Sequence, residues 1–90
     1  MNFQYESNRV FLSENEQVIA QVDFSFVDEN TVNIHRTFVS EQLRGQGVAS
    51  AIVEATVNYL KEKNLKIICD CPYVKKWFTK HDEYHQWIKK

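Results

Sequence analysis

Arg44-Gly45-Gln46-Gly47-Val48-Ala49 decides the reading of this chain, because it holds the only two glycines in the sequence. The run stands between a strand-like segment, Thr31 to Val39, and a helix-like one that begins near Val48. Glycine is costly in conformational entropy. A sequence that concentrates it at one place has a backbone that turns sharply there or approaches a ligand closely. A helix starting at such a turn presents unpaired N–H groups and the positive end of its dipole. The combination is an anion site, and a pyrophosphate is its natural occupant.

Working outward, Val48, Ile52, Ala55, Thr56, Tyr59 and Leu60 recur at helical spacing, with Glu54, Asn58, Lys61 and Glu62 largely opposite. This is the pattern of an amphipathic helix that covers a sheet. Lys61 and Lys63 suit its last turn and Asn64 a left-handed stop. Leu65 to Asp70 then reads as an apolar strand. Strand, glycine-rich turn, helix and strand make a crossover, so the flanking strands are expected to be parallel neighbours, connected right-handedly. Ligands in such units sit at the carboxyl ends of the strands.

Upstream, Phe3 to Tyr5 and Arg9 to Leu12 read as short strands, and Ser13-Glu14-Asn15-Glu16 as a turn. From Val18 the chain alternates: Val18, Ala20, Val22, Phe24 and Phe26 face one way, with Gln21, Asp23 and Ser25 opposite. Asp28-Glu29-Asn30 turns it into the Thr31 to Val39 strand, which completes a four-strand antiparallel meander. That strand breaks pattern. Val32, Ile34 and Phe38 would share a face with Arg36, while Asn33, His35, Thr37 and Val39 share the other. Either a bulge lies near Arg36 and re-aims the side chains beyond it, or Arg36 snorkels to water from an edge. Downstream, Pro72 suits the start of a helix, Tyr73 to Lys80, and a short helical tail runs through Trp87 and Ile88. The expected fold is α/β, of the α+β kind: a mostly antiparallel sheet with one strand–helix–strand crossover.

Ninety residues make one domain, spanning residues 1–90, and two Trp, four Tyr and six Phe supply a core. Eleven Lys and Arg balance twelve Asp and Glu, so no bulk charge draws the chain to nucleic acid or an anionic membrane. Lys75-Lys76-Trp77, with Lys80, Lys89 and Lys90, interleaves basic and aromatic residues as some nucleic-acid binders do. The balanced charge and the helical spacing of the aromatics read instead as a solvated helix face. The first twenty residues hold no basic segment followed by an apolar run, and a cytoplasmic location is expected. Cys69 and Cys71, two apart on what reads as one strand, would point the same way and suit neither a structural disulfide nor a metal site.

The glycine run lacks the spacing of a nucleotide triphosphatase or a dinucleotide loop. It resembles the pyrophosphate loop of the GNAT superfamily of acetyl-CoA-dependent N-acyltransferases. That signature is Arg or Gln, two residues, Gly, one residue, then Gly or Ala, matched by Arg44, Gly47 and Ala49. Thr37-Phe38-Val39-Ser40-Glu41, Leu65-Lys66-Ile67-Ile68, Cys71-Pro72-Tyr73-Val74 and His81-Asp82-Glu83-Tyr84 extend the resemblance to a compact GNAT-like subfamily, over roughly residues 17 to 88. One position departs: relatives carry His just before the threonine, where this chain has Arg36. His35 would face the other way and does not replace it.

The resemblance implies a minimal GNAT-like domain that binds acetyl-CoA and transfers the acetyl group to an amine. The coenzyme residues it implies are Thr37, Phe38 and Val39, pairing through their main chain with the pantetheine arm, and Arg44, Gly45, Gln46, Gly47, Val48, Ala49 and Ser50 around the pyrophosphate. The N–H groups from Gln46 to Ser50 would hold the anion, the thioester would lie beside Phe38, Val39 and Cys71, and a backbone N–H near Phe38 or Val39 would hold the oxyanion. Cys71 is the candidate catalytic residue. It is read as the acid that protonates the leaving thiolate or as a nucleophile that carries the acetyl group, and otherwise as buried filler. His81 and Tyr84 are lesser proton-transfer candidates, and Lys75 and Lys76 could reach the coenzyme's 3′-phosphate. GNAT proteins carry one or two helices between their first two strands; Ser7-Asn8 leaves room for none, which implies an open acceptor side and a large or partner-supplied amine. The rival reading is a non-catalytic acyl-CoA-binding or protein-interaction module on the same fold. A monomer or weak dimer without metal is expected.

Overall fold

A computed structural model describes residues 2–89; Met1, and Lys90 from the basic set above, lie outside the described residues. Strands β1 (Gln4–Tyr5), β2 (Arg9–Glu14), β3 (Gln17–Asp28), β4 (Thr31–Val39) and β5 (Lys66–Cys69) form one sheet in chain order. The first four pair antiparallel, and β4 and β5 pair parallel through the helix α1 (Val48–Glu62). Helix α2 (Pro72–Thr79) and a 3₁₀ segment, Asp82–Trp87, follow. The expected meander and crossover are both present.

Local chemistry sets the hairpins. Asn15 and Glu16 take left-handed φ values of 52° and 65°, which makes a two-residue turn between β2 and β3. Ser13 and Glu14 therefore pair with Val18 and Gln17 and belong to the strand, not to the turn expected for them. Asp28 closes the next hairpin by accepting the Asn30 N–H at 2.8 Å.

The core forms where the sheet meets α1. Val10, Val22, Val32 and Ile34 pack with Ile52, Val53, Val57 and Leu60, each at most 1% exposed. The buried stripe of α1 is broader than its pattern suggested. Val53 and Val57 are inside while Ala55 and Tyr59 lie half-buried on the flank, because α1 meets α2 as well as the sheet. Phe26, expected in the core row, pairs with the buried Val32 but is itself 53% exposed, because it lies at the rim of the core, where it lines an open surface pocket with Tyr5, Phe24 and Tyr59.

The irregularity in β4 is a bulge. Asp23 faces Arg36 and Phe24 faces Ile34, which leaves His35 as the extra residue. β4 lies between β3 and β5, so it is not an edge strand. The inserted residue puts Thr37 and Val39 on the face of Ile34 and turns Arg36 and Phe38 to the opposite face. There Arg36 lies 3.9 Å from Asp23.

Two further expectations are corrected. β5 ends at Cys69, and Cys71 is the N-cap of α2, so the cysteines belong to different elements and not to one strand. Ile88 is extended: it bridges Ile67, and the Lys89 N–H donates to the Ile67 carbonyl at 3.0 Å, which ends the helical tail at Trp87.

Candidate functional site

The two halves of β4 differ. Thr31 to Ile34 pair with β5, but beyond Ile34 the strand has β3 on one side only. The separation is fixed at the Ile34 carbonyl, which accepts both the Asp70 N–H at 3.0 Å and the Cys71 N–H at 3.2 Å. After that point the chain leaves the sheet and enters α2.

Which backbone groups face the gap follows from the ladder. The Ser40 N–H donates to the Ile19 carbonyl of β3 at 2.8 Å. N–H directions alternate along an antiparallel strand, so Phe38 also faces β3, while Thr37 and Val39 face the gap. The Thr37 N–H is directed at the Cys71 sulfur, which leaves the Val39 N–H as the open donor.

The glycine run closes the same gap from below. Gly45 and Gly47 both have left-handed φ, at 82° and 76°, so both serve the turn. Gly47 is the N-cap of α1 and no side chain caps the helix. The first helical bond joins the Ala51 N–H to the Gly47 carbonyl, so the N–H groups of Val48, Ala49 and Ser50 precede the ladder. The Gln46 N–H is committed to the Leu43 carbonyl at 3.3 Å, which removes it from the expected donor set.

Together these parts wall a cleft of about 390 Å³, lined by Thr37, Val39, Leu43, Arg44, Gly45, Gly47, Val48, Ala49, Ser50 and Tyr73. Of the ten coenzyme residues expected from sequence, the cleft takes in all but Phe38 and Gln46. Phe38 points to the other sheet face and is 38% exposed there, so its side chain does not stand beside Val39 and Cys71. Leu43 and Tyr73 are additions. Leu43 sits in a 3₁₀ turn, Glu41–Leu43, that no pattern marked. Tyr73 falls off the apolar stripe of α2 made by Val74, Trp77 and Phe78, which was the available signal that it faces something else.

Cys71 lies just behind the cleft surface. It is 6% exposed, and its Sγ stands 3.5 Å from the Thr37 hydroxyl. Burial pushes its thiol up, but hydrogen bonds from the Thr37 hydroxyl and from the N–H groups of Val74, Tyr73 and Thr37 outweigh that and hold it below the ordinary thiol value. Cys69 differs: burial, then the neighbouring Cys71, push it up to about 12. The remaining candidates are structural in their contacts. His81 stacks on Trp77 and approaches its carbonyl at 2.7 Å, Tyr84 is buried beside the same ring, and Lys75 and Lys76 are exposed. Among the described residues no cluster of His, Cys, Asp or Glu could hold a metal ion, and no helix is long and apolar enough to cross a membrane.

A crossover helix with a free N-terminus, set beside a strand that loses its neighbour at a bulge, defines an acyl-CoA N-acyltransferase fold. The chain belongs to the GCN5-related N-acetyltransferase family, whose model matches residues 7–87. It is 27% identical over 67 residues to the protein NATD1 of Xenopus tropicalis, a match that covers 74% of this chain and 61% of that one. The chain thus spans about three fifths of the length of the curated relatives it matches. Among solved structures it is similar to a GCN5-like protein from Staphylococcus aureus, with 34% identity, a TM-score of 0.79, and 98% and 87% of the two chains covered. N-acetylglutamate synthase from Neisseria gonorrhoeae, solved with coenzyme A and N-acetyl-glutamate, shares the fold alone, at 13% identity and a TM-score of 0.64 over 83% of this chain and 18% of that one.

Proposed function

We propose that the protein binds acetyl-CoA in this cleft and transfers the acetyl group to an amine carried by a protein or peptide. The observation that carries the reading is the meeting, in one cleft, of an uncapped helix N-terminus and the unpaired edge of β4. The first suits a pyrophosphate, held by the N–H groups of Val48, Ala49 and Ser50 with Arg44 at the rim. The second suits an extended amide chain such as pantetheine, which pairs along Thr37 to Val39 as an added strand. The coenzyme A in the Neisseria relative supports this choice of ligand.

The residues divide the chemistry between them. The neutral amine nitrogen attacks the thioester carbon and the Val39 N–H holds the oxyanion that forms. The carbon–sulfur bond then breaks, the Cys71 thiol gives its proton to the departing thiolate, and the surplus proton on the new amide nitrogen restores the Cys71 thiol. Burial of Cys71 behind Thr37 suits short-range proton transfer better than attack on a carbonyl. The acceptor class follows from the short link at Ser7 and Asn8 between β1 and β2. No segment there folds over the sheet face that carries Arg36 and Phe38, which leaves it open to a large acceptor.

Thermal unfolding with acetyl-CoA tests the site: at 100 times the dissociation constant the ligand adds about 2.7 kcal/mol of stability. An unmoved transition at millimolar ligand rejects the coenzyme site. Thiol release with peptide amines then separates an enzyme from a binding module.

A further inference from the structure

Trp77 is 4% exposed, and its indole N–H donates to Ser50 Oγ at 3.0 Å. An indole nitrogen donates and never accepts, so Ser50 is the acceptor and its own hydroxyl proton is left for another partner. Thr56, further along the same helix, spends its hydroxyl proton on the Ile52 carbonyl at 2.8 Å, whereas among the described residues the Ser50 hydroxyl makes no such bond and takes part only as the acceptor from Trp77. Ser50 also lines the cleft, in the first turn of α1.

The indole is fixed from several sides. The His81 ring stacks on it at 3.9 Å and 10°, the Tyr84 ring lies 5.4 Å away, and Phe78 meets it edge-on at 5.3 Å. His81 and Tyr84, which the sequence offered as proton carriers, therefore brace the ring whose only polar atom points at the start of α1.

We infer that Trp77 is a positioning residue for the pyrophosphate subsite: by occupying a lone pair of Ser50 Oγ it turns the Ser50 hydroxyl proton into the cleft as a donor to a diphosphate oxygen. The inference rests on the reading of the cleft as a coenzyme A site. It adds a side-chain donor to the three backbone N–H groups there. It also ties the subsite to α2, whose N-terminus carries Cys71.

Calorimetric titration with three probes tests it: coenzyme A, 3′-phosphoadenosine 5′-diphosphate, which keeps the pyrophosphate without the arm, and pantetheine, which keeps the arm alone. Ser50→Ala is expected to weaken the first two by about tenfold each and to leave pantetheine unchanged, while Ser50→Thr restores binding. Trp77→Phe is expected to weaken the same two probes roughly threefold, the loss of orientation without loss of the hydroxyl. Unchanged coenzyme A affinity in Ser50→Ala, or equal weakening of pantetheine, overturns the inference. Should Trp77→Phe fail to fold, the indole N–H resonance of Trp77 in Ser50→Ala decides, with Trp87 as the internal reference: a shifted, faster-exchanging signal supports the bond and an unmoved one overturns it. A wild-type protein that binds none of the probes defeats the coenzyme reading itself, which is a distinct outcome.

Discussion

At its C-terminal end α1 is closed: the Lys63 and Leu65 N–H groups both return to the Leu60 carbonyl at 3.1 Å, and Asn64 takes a left-handed φ of 59° to allow it. At its N-terminal end the same helix is left open, with a glycine N-cap, no capping side chain and three N–H groups ahead of the ladder. Stability accounts for the closed end, where each bond satisfies a carbonyl that would otherwise need water. The open end has no such bonds: Gly47 has no side chain to supply one, and its left-handed φ of 76° disfavours the Ser, Thr, Asp or Asn that ordinarily caps a helix from extended backbone. The donors left free mark where the molecule is shaped for something outside itself. β4 repeats the contrast, with its first half paired on both sides and its second half on one.

The contrast can be broken most forcefully on β4. Val39→Pro removes an N–H that no ladder bond uses, so the fold should survive while thiol release falls by about 10²–10³-fold, as for a lost oxyanion donor. Phe38→Pro removes an N–H that pairs with β3 and should cost stability instead, read as a lower urea midpoint. If both variants behave alike, the assignment of directions along β4 is wrong.

Next in size is the core beneath both ends. Ile52, fully buried one turn into α1, should lose about 2–5 kcal/mol on replacement by Ala. Because the N-terminal turn rests on it, coenzyme affinity should weaken in the same variant; an unchanged affinity would mean that the subsite holds its shape without the core.

At the helix ends the effects are smaller and of opposite kind. Gly47→Ala meets no atom within 4 Å of its new Cβ but places an L residue at φ 76°, a strain of roughly 1–2 kcal/mol that should also displace the donors and weaken coenzyme binding. Asn64→Gly relieves the left-handed strain at the other end and should leave coenzyme affinity alone. Equal effects on binding at the two ends would erase the distinction between them.

The smallest expected effect is on pH dependence. The folded Cys71 ionises more readily than an unfolded thiol, so its contribution to stability is full above the ordinary thiol value and is lost as pH falls through its lowered folded value. Cys69 has the opposite sign: its contribution is full below the ordinary thiol value and is lost as pH rises toward about 12. Urea midpoints of Cys71→Ser and Cys69→Ser between pH 7 and 10 should therefore diverge from wild type in opposite directions.

Much of this was legible in the sequence because local chemistry dictated it. The glycine run, the Asn64 stop and Pro72 at the start of α2 each answer to a backbone requirement that few residues meet. The bulge near Arg36 was visible as a charged residue in an apolar row, and the inserted residue is its neighbour His35. Periodicity could not show that Phe38 leaves the site, because one inserted residue reverses every face after it. Gln46 was lost for a similar reason: a short turn at Glu41–Leu43 captures its N–H, and such turns have no strong composition. Tyr73 was marked only by its place off the apolar stripe of α2, a position that a helix ordinarily turns to solvent, so the mark did not single it out.

The strand order carries a consequence for how the molecule assembles. Successive antiparallel pairings join segments adjacent in the chain, whereas β4 and β5 meet only after α1 has crossed between them. Contacts between distant segments form late and open first, since closing the longer loop must precede any reward from pairing. The meander is therefore expected to protect its amides longest from hydrogen exchange, and β5 with α2 to open as a separate, weaker unit. Since the gap beside β4 is walled only while β5 and α2 are docked, a ligand bound there would act as a clasp on that unit.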